Sequence, residues 1–262
     1  MSRLRPAEIL LQDLGIDHPD DIDLDAIAYH VGCEVRYRRL DGCEARILGV
    51  GNRAIISISS RVRPVRQRFS LGHELGHWHH HRGRSFICRS DDIGNETRGP
   101  IDPERVADGY AADLLLPAYL VRPRLDQKGH PGFKQIEAIA HSFRSSILAT
   151  ALRFVELTPH DMMLVCHNRN GRRWFKRGPR VPDRWFPRDD LDADTYAFDI
   201  LFKNKDRSHI ALMPTSAWFD RDEANRYELQ EETIRTGDDE ILTLLTFGAD
   251  GMMEDWPRFE RF

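Results

Sequence analysis

The 262-residue sequence has no run of about 18 apolar residues, the length that a membrane-spanning helix needs. Its N-terminal stretch, MSRLRPAEILLQDLGID, also lacks the continuous apolar segment of a secretory signal peptide and has the pattern of an amphipathic helix instead. These absences predict a protein that neither spans a membrane nor is exported.

Cysteine is scarce, and an excess of either charge is missing. The four cysteines, Cys33, Cys43, Cys88 and Cys166, form no CxxC pair, which favours reduced thiols in a cytoplasmic protein over a disulfide framework. A net charge of −4 argues against a protein built mainly to coat nucleic acid. The apolar content of 40% is ordinary for a soluble chain, and the length fits one large or two modest domains.

Helical and strand patterns alternate in the first 160 residues. Asp23 is a suitable N-cap and Gly32 a suitable end for one of the helices, and Pro103 fits the first turn of another. The stretches EVRYRRL and ARILGVGNRAIISIS alternate or are rich in β-branched residues, which predicts strands. The predicted helices cover residues 5–14, 22–32, 61–81, 103–117 and 133–157, and the last is broken near residues 144–146.

The composition changes near residue 160. Four of the five tryptophans lie beyond residue 163, among several alternating runs. In TYAFDILF, alternation predicts a strand with one shared face, and SHIALMP and EILTLLTF are further strand candidates. The predicted face of the first strand consists of Tyr196, Phe198, Ile200 and Phe202. We therefore expect a β-rich second part after the boundary.

The stretch SLGHELGHWHHH contains five histidines, of which His73 and His77 form an H-E-x-x-H motif with Glu74. On a helix, residues four apart share a face and lie about 6 Å apart along the axis. Two imidazoles in that arrangement can bind one zinc ion, and the glutamate can act as general base on the attacking water. Phe69, Leu71 and Leu75 give the helix apolar positions, which favours a core helix over a histidine-rich surface helix.

The remaining histidines of the stretch do not extend the motif. His81 lies about 12 Å along the axis from His73, too far for the same ion on a straight helix. A metzincin needs glycine and histidine at the positions held here by His80 and Gly83. We therefore interpret His79, His80 and His81 as a solvated helix end and expect the third ligand elsewhere.

Glu104 is the favoured third ligand, because it opens the helix that begins at Pro103 and has the better reach. Asp108 lies one turn later on the same face and could orient a ligand histidine, although a solvated carboxylate is an equal alternative. The acidic residues considered were Asp91, Asp92, Glu96, Asp102, Glu104, Asp108 and Asp113.

Two segments, RQRFSLGHELGHW and ERVADGYAADLLLP, resemble the ImmA/IrrE family of bacterial metallopeptidases. The family pattern is roughly R-x-R-F-T-x-A-H-E-L-G-H followed by E-x-x-A-N-x-F-A-A-E-L-L-M-P. The positions that agree are Arg66, Arg68, Phe69, His73, Glu74, Leu75, Gly76, His77, Glu104, Ala107, Ala111, Ala112, Leu114, Leu115 and Pro117. The positions that depart from it are Ser70, Gly72, Asp108, Tyr110 and Asp113, and none removes a ligand or the base.

The resemblance implies an α+β, zincin-like fold in three parts. Residues 1–130 would form a metallopeptidase domain with the HExxH helix and a small sheet. Residues 131–160 would form a helix-turn-helix-like pair, and residues 161–262 a β-rich sensor or substrate-binding domain. In some relatives this last part is GAF-like, and the alternating strands are compatible with that fold. The implied gluzincin-like site has His73, His77 and Glu104 as zinc ligands and Glu74 as catalytic base.

Two other features are candidates for binding. The helical pair carries Arg153 against Glu156 and is otherwise mostly apolar, which favours packing or substrate holding over DNA reading. His141 on this pair is a candidate proton donor, although a surface histidine is the simpler interpretation. The basic, aromatic segment 167–188 has a hairpin turn at Asn170-Gly171, and a solvated hairpin is favoured over a nucleic-acid platform.

The sequence thus predicts a cytoplasmic zinc-dependent endopeptidase, with Mn²⁺ as an alternative metal. The resemblance implies a protein substrate, a helix-turn-helix transcriptional repressor whose cleavage derepresses stress or mobile-element genes. Direct nucleic-acid binding is disfavoured. The alternative hypothesis is a non-proteolytic regulatory module that uses the metal fold to bind a repressor or DNA, and Glu74→Gln separates the two.

Overall fold

Two groups of chain segments, each internally compact, make up the computed structural model. It describes residues 4–83, 85–88, 102–125, 129, 131–203, 205–248 and 250–253. The first unit comprises Met1–Arg124 and Ala138–Thr150, and the second comprises Leu125–Glu137 and Ala151–Phe262. No helix among the described segments combines the length and the apolar character needed to cross a membrane.

The helices follow the sequence signals closely in the first half of the chain. Asp23 caps the second helix by accepting hydrogen bonds from the N–H groups of Asp25 and Ala26, and Gly32 beyond its end has φ +87°. The helices are α1 (Pro6–Asp13), α2 (Leu24–His30), α3 (Pro64–His80), α4 (Pro103–Leu115), α5 (Ala118–Val121), α6 (Phe133–Phe143), α7 (Ile147–Leu157), α8 (Tyr196–Phe202) and α9 (Asp250–Met253).

A four-stranded sheet lies in the first unit, in the order β1-β3-β2-β4. Strands β1 and β3 are parallel, whereas β2 is antiparallel to both β3 and β4. The predicted segment 45–59 is a hairpin of two strands, turned at Gly51 with φ +59°. The strands are β1 (Cys33–Arg38), β2 (Ala45–Val50), β3 (Arg53–Ser59) and β4 (Phe86–Cys88), with β1 and β4 at the two edges of the described sheet.

Helix α3 is the central helix of the first unit. Every residue from 70 to 78 is buried, and the helix packs against α4 as well as against β2 and β3. Gly76 allows the close approach, because a Cβ on it would lie 2.8 Å from the Cα and 2.9 Å from the carbonyl oxygen of Ala107. The prediction of a core helix over a histidine-rich surface helix is confirmed.

The helical pair α6–α7 breaks where the sequence predicts. Arg144 lies between the two helices with φ +52°, a left-handed conformation that ends α6. Both helices bury apolar side chains, among them Ile136 and Phe143 of α6 and Phe154 and Val155 of α7. The pair contributes residues to both units.

The second unit contains a five-stranded antiparallel sheet in the order β6-β5-β9-β8-β7. Its apolar cluster gathers Trp185, Trp218, Phe219 and residues of β5, β8 and β9. The Asn170-Gly171 turn joins β5 and β6, with Gly171 at φ +114°. The strands are β5 (Met162–Asn168), β6 (Gly171–Arg177), β7 (Ala211–Pro214), β8 (Glu228–Arg235) and β9 (Glu240–Phe247).

The predicted strand over TYAFDILF is wrong, because this segment is helix α8. Thr195 caps it by accepting a hydrogen bond from the Phe198 N–H. The buried residues are Ala197, Ile200 and Leu201, a helical spacing that the alternating aromatic residues masked. The α+β class is confirmed, whereas the zincin-like and GAF-like assignments and the three-part division stay predictions.

Candidate metal centre

Helix α3 brings the imidazole rings of His73 and His77 close together. His73 and His77 are one turn apart, both are at most 1% exposed, and their Nε2 atoms are 3.0 Å apart. The two rings are nearly perpendicular, with centroids 4.6 Å apart. Two lone-pair donors at this distance can share a cation, as the helical spacing predicts.

Helix α4 brings a carboxylate to the same place. Glu104 Oε2 lies 3.0 Å from His73 Nε2 and 3.4 Å from His77 Nε2. The side chain of Asp102 caps the helix by accepting a hydrogen bond from the Glu104 N–H, which fixes the first turn that carries Glu104. The close packing of α3 on α4 at Gly76 therefore also determines the reach of Glu104.

Asp108 holds the ring of His73 from the other side. Its Oδ1 atom accepts a hydrogen bond from His73 Nδ1 at 2.8 Å. Because a carboxylate only accepts, Nδ1 carries a proton, and Nε2 is the ring nitrogen directed at Glu104 and His77. This contact is the one that the orienting interpretation of Asp108 requires.

Cys88 is a fourth donor that the sequence reasoning missed. It comes from the edge strand β4, is fully buried, and its Sγ atom lies 3.5 Å from His77 Nε2. One donor atom from each of His73, His77, Cys88 and Glu104 lies within 4.8 Å of all the others. No local motif marks Cys88, because pairing of β4 with β2 brings it to α3.

The charges of the group are strongly coupled. Burial lowers the pKa of His73, but hydrogen bonds to Asp108 and Glu104 outweigh it and raise the pKa to about 9. Burial raises the pKa of Glu104, but hydrogen bonds with His73 and His77 dominate and bring it below its usual range. A positive charge is therefore favoured at this point, whether it is a proton or a metal cation.

Glu74 is the carboxylate without a structural partner. It is fully buried, and neither of its oxygen atoms makes a hydrogen bond of normal geometry. Burial raises its pKa to about 8, and the charge of His73 and the nearby Cys88 thiol only partly counteract this. A buried carboxylate normally has donors, and among the described residues Glu74 has none of normal geometry, which leaves its oxygens available to a bound ligand.

The residues present fit a zinc ion. Two imidazole nitrogens, a carboxylate oxygen and a thiol are the donor types found in protein zinc sites, at donor distances typical of one shared ion. Nitrogen and sulfur donors suit Mn²⁺ less well, since it prefers oxygen. The buried, unpartnered Glu74 beside them fits a group that acts on water or substrate.

The other histidines predicted to stand apart do so. His79 and His80 are exposed and contact Tyr110, and His141 is exposed on α6. His81 is half-buried and packs near Phe86, outside the four-residue group. Asp91, Asp92 and Glu96, the earlier acidic candidates, lie outside the described residues.

Most arginines of the two basic candidates form ion pairs within the part of the chain that the structure describes. Arg153 is 4% exposed and pairs with Glu156 at 3.0 Å, so its charge is turned inward. Six of the seven arginines of segment 167–188 are paired with acids of the second unit, as expected for a solvated hairpin. The pairs are Arg169–Asp239, Arg172–Asp189, Arg177–Asp183, Arg180–Asp161, Arg184–Glu223 and Arg188–Asp220.

Comparison with known proteins identifies a family model, a curated relative and a solved structure that are similar to this chain. Residues 28–155 match the family model described as IrrE N-terminal-like domain, Peptidase_M78. The radiation response metalloprotease IrrE of Deinococcus deserti is 27% identical over 142 residues, which span 48% of this chain and 48% of that protein. The chain therefore covers about half the length of this relative.

A solved structure of a Mycobacterium tuberculosis transcriptional regulator has a similar fold. It superimposes with a TM-score of 0.57 over 92% of this chain and 86% of that chain, at 13% identity. The likeness at this identity concerns the fold alone. The family model and the curated relative together support membership of residues 28–155, just under half of the chain, in the ImmA/IrrE family.

Proposed function

We propose that the protein is a metal-dependent endopeptidase whose centre consists of His73, His77, Glu104 and Glu74. The observation that carries the proposal is the buried Glu74 carboxylate, which makes no hydrogen bond of normal geometry among the described residues and lies beside a group of metal-ligand atoms. A structural role would leave this carboxylate bonded. A general base, by contrast, needs a carboxylate oxygen that is available to accept a proton.

In this proposal His73, His77 and Glu104 hold the zinc ion. Lewis acidity toward the scissile carbonyl and toward water is the chemistry that a bound zinc ion supplies. Asp108 keeps the proton on His73 Nδ1 at 2.8 Å, so that Nε2 keeps its lone pair for the metal. The burial of both histidines excludes competing water from these ligand atoms.

Glu74 moves the proton. It accepts one from the attacking water and passes it to the nitrogen of the leaving amine, so that the peptide bond is hydrolysed to a carboxylate and an amine. Its position next to His73 in the sequence and on the buried face of α3 gives it that reach. The cation favoured at the group would also keep Glu74 ionised when loaded.

The proposed substrate is a helix-turn-helix transcriptional repressor, cleaved in the cytoplasm so that stress or mobile-element genes are expressed. The support is the family membership of residues 28–155 and the name of the matched relative, a radiation response metalloprotease. The inward-turned Arg153 agrees with a protein substrate rather than DNA.

The test is cleavage of candidate repressors encoded beside the gene, with Zn²⁺ or Mn²⁺ added and products identified by mass spectrometry. We expect one new cut that Glu74→Gln abolishes while metal content stays at the wild-type level. His80→Gln is the matched control, because it removes an exposed histidine of the same helix without touching the group. Derepression that survives in Glu74→Gln would replace the peptidase by a non-proteolytic repressor-binding module.

A further inference from the structure

A fourth donor at the metal centre has consequences for how the site works. Cys88 is fully buried and its Sγ atom lies 3.5 Å from His77 Nε2. Zinc–sulfur bonds of about 2.3 Å and zinc–nitrogen bonds of about 2.0–2.1 Å place tetrahedral nitrogen and sulfur donors about 3.5 Å apart. The spacing of Cys88 and His77 is thus that of two ligands of one ion.

The placement of Cys88 follows from strand β4. Within Phe86–Cys88, residues 86 and 88 face α3, while Ile87 between them is 68% exposed. Phe86 stacks on the ring of His77 with centroids 4.2 Å apart and an interplanar angle of 11°. The strand therefore contacts one ligand histidine twice, through an aromatic ring and through a thiol.

A second observation points to a bound ion at this place. Among the described residues, the fully buried Glu74 carboxylate makes no hydrogen bond of normal geometry, and the Cys88 thiol donates a weaker hydrogen bond to it. An apolar residue would pack equally well at a purely structural position. A thiol, an unpartnered carboxylate, two imidazoles and Glu104 converge instead.

We propose that the Cys88 thiolate is a fourth protein ligand of the metal and closes the resting centre to water. Catalytic zinc sites keep one of four positions open, whereas sites with four protein ligands are closed. Cleavage would therefore require Cys88 to leave the ion. This inference rests on the proposed metal centre and adds a regulatory state to it.

Movement of Cys88 away from the ion would break few backbone hydrogen bonds. Strand β4 has three residues and, among the described strands, pairs with β2 alone and lies at an edge of its sheet. A short edge strand has few cross-strand hydrogen bonds to lose, so it can open locally without unfolding α3 or α4. The histidines and Glu104 would stay in place on the two helices when Cys88 moves.

Cobalt substitution tests the ligand directly. The full-length protein loaded with Co²⁺ is expected to show the intense near-ultraviolet charge-transfer absorption of a cobalt–thiolate bond. The absorption should vanish in Cys88→Ala and Cys88→Ser and persist in Cys33→Ala, which removes another buried thiol of the first unit. Visible cobalt bands without charge-transfer absorption in the wild type would overturn the proposal.

Metal affinity and cleavage give two further readouts. Chelator competition should show that Cys88→Ala binds Zn²⁺ at least about tenfold more weakly, since even an outer partner of a ligand contributes that much. Cleavage by the zinc-loaded Cys88→Ala variant should be faster than by the wild type. An unchanged or lower rate, together with loss of the cobalt–thiolate band, would reject the closed resting state.

The outcomes separate this inference from the proposed function. Cobalt–thiolate absorption in a protein that cleaves no repressor would leave Cys88 as a ligand and remove the peptidase proposal. Repressor cleavage that depends on Glu74, without a cobalt–thiolate band, would keep the peptidase and remove Cys88 from the centre.

Discussion

Two glutamates are equally buried in the two units and have opposite surroundings. Glu74 in the first unit and Glu231 in the second are both 0% exposed, and burial raises the pKa of each. Glu231 accepts hydrogen bonds from the Ala197 N–H at 2.6 Å, Trp218 Nε1 at 3.1 Å and Thr233 Oγ1 at 3.2 Å. Neither oxygen of Glu74 has such a donor.

The difference is between a carboxylate that holds structure and one that we propose is kept available for chemistry. The donors around Glu231 tie helix α8 and Trp218 to strand β8, so removing the carboxylate leaves buried N–H groups without an acceptor. Among the described residues, the Glu74 carboxylate receives only a weaker hydrogen bond, from the Cys88 thiol, so its removal leaves no N–H group without an acceptor. Burial alone therefore does not identify a functional glutamate, and the missing donors are what distinguish Glu74 from Glu231.

The largest expected effect is on activity, in Glu74→Gln. Loss of a general base lowers the cleavage rate by about 10²–10⁴-fold. Because the Glu74 oxygens make no hydrogen bonds of normal geometry among the described residues, we expect the thermal unfolding midpoint to stay the same or rise. Cleavage assays and circular dichroism melting measure the two quantities. A variant that melts well below the wild type would show that Glu74 is structural.

Glu231→Ala should give the converse result. Leaving the Ala197 N–H and Trp218 Nε1 buried without an acceptor costs about 2–4 kcal/mol of unfolding free energy, measured by denaturant titration. Activity per folded molecule should be unchanged. The control is Glu228→Ala, an exposed glutamate on the same strand, with an expected change below about 0.5 kcal/mol. Equal losses in both variants would contradict a structural role for the Glu231 hydrogen bonds.

A smaller effect is expected at Asp108, which serves the first unit through another residue. Asp108→Ala removes the acceptor 2.8 Å from His73 Nδ1 and should weaken zinc binding by about 10–100-fold in chelator competition. Asp108→Asn keeps an acceptor oxygen and matches the residue usual in the family pattern, so it should retain most of the affinity. If the two variants bind zinc equally weakly, the orienting hydrogen bond is not the cause.

Features of the two units that depend on neighbouring residues can be predicted from the sequence, whereas features that depend on contacts between distant segments cannot. The spacing of His73, Glu74 and His77 follows from helical geometry, and capping by Asp23 and Asp102 follows from local chemistry. Cys88 carries no local signal, because its place depends on the pairing of two strands that are distant in the chain. Ala45 lies opposite Cys88 and Ile47 opposite Phe86, which are separated by 43 and 39 residues in the sequence.

Helix α8 shows how a local pattern can mislead. Aromatic residues at every second position predict a strand, but Ala197, Ile200 and Leu201 give a buried helical stripe, and the Thr195 cap decides the outcome. The hydrogen-bond donors to Glu231 also cannot be predicted from the local sequence, since Ala197 and Trp218 lie 34 and 13 residues from it in the chain.

The smallest effects are expected at two glycines of the first unit, Gly76 on α3 and Gly109 on α4. Substitution by alanine should change the unfolding free energy in opposite directions at the two positions. Gly76→Ala places a Cβ 2.8 Å from the Ala107 Cα, so α3 and α4 must separate, at about 1–3 kcal/mol of unfolding free energy. Because α4 also carries Glu104, zinc affinity should fall as well, unlike in Glu231→Ala. Gly109 lies at an exposed position of α4, and a Cβ on it would meet nothing within 4 Å. Gly109→Ala should therefore raise the unfolding free energy by about 0.5–1 kcal/mol without changing the zinc affinity. If Gly76→Ala lowers stability but leaves zinc binding intact, the reach of Glu104 does not depend on the contact between the two helices.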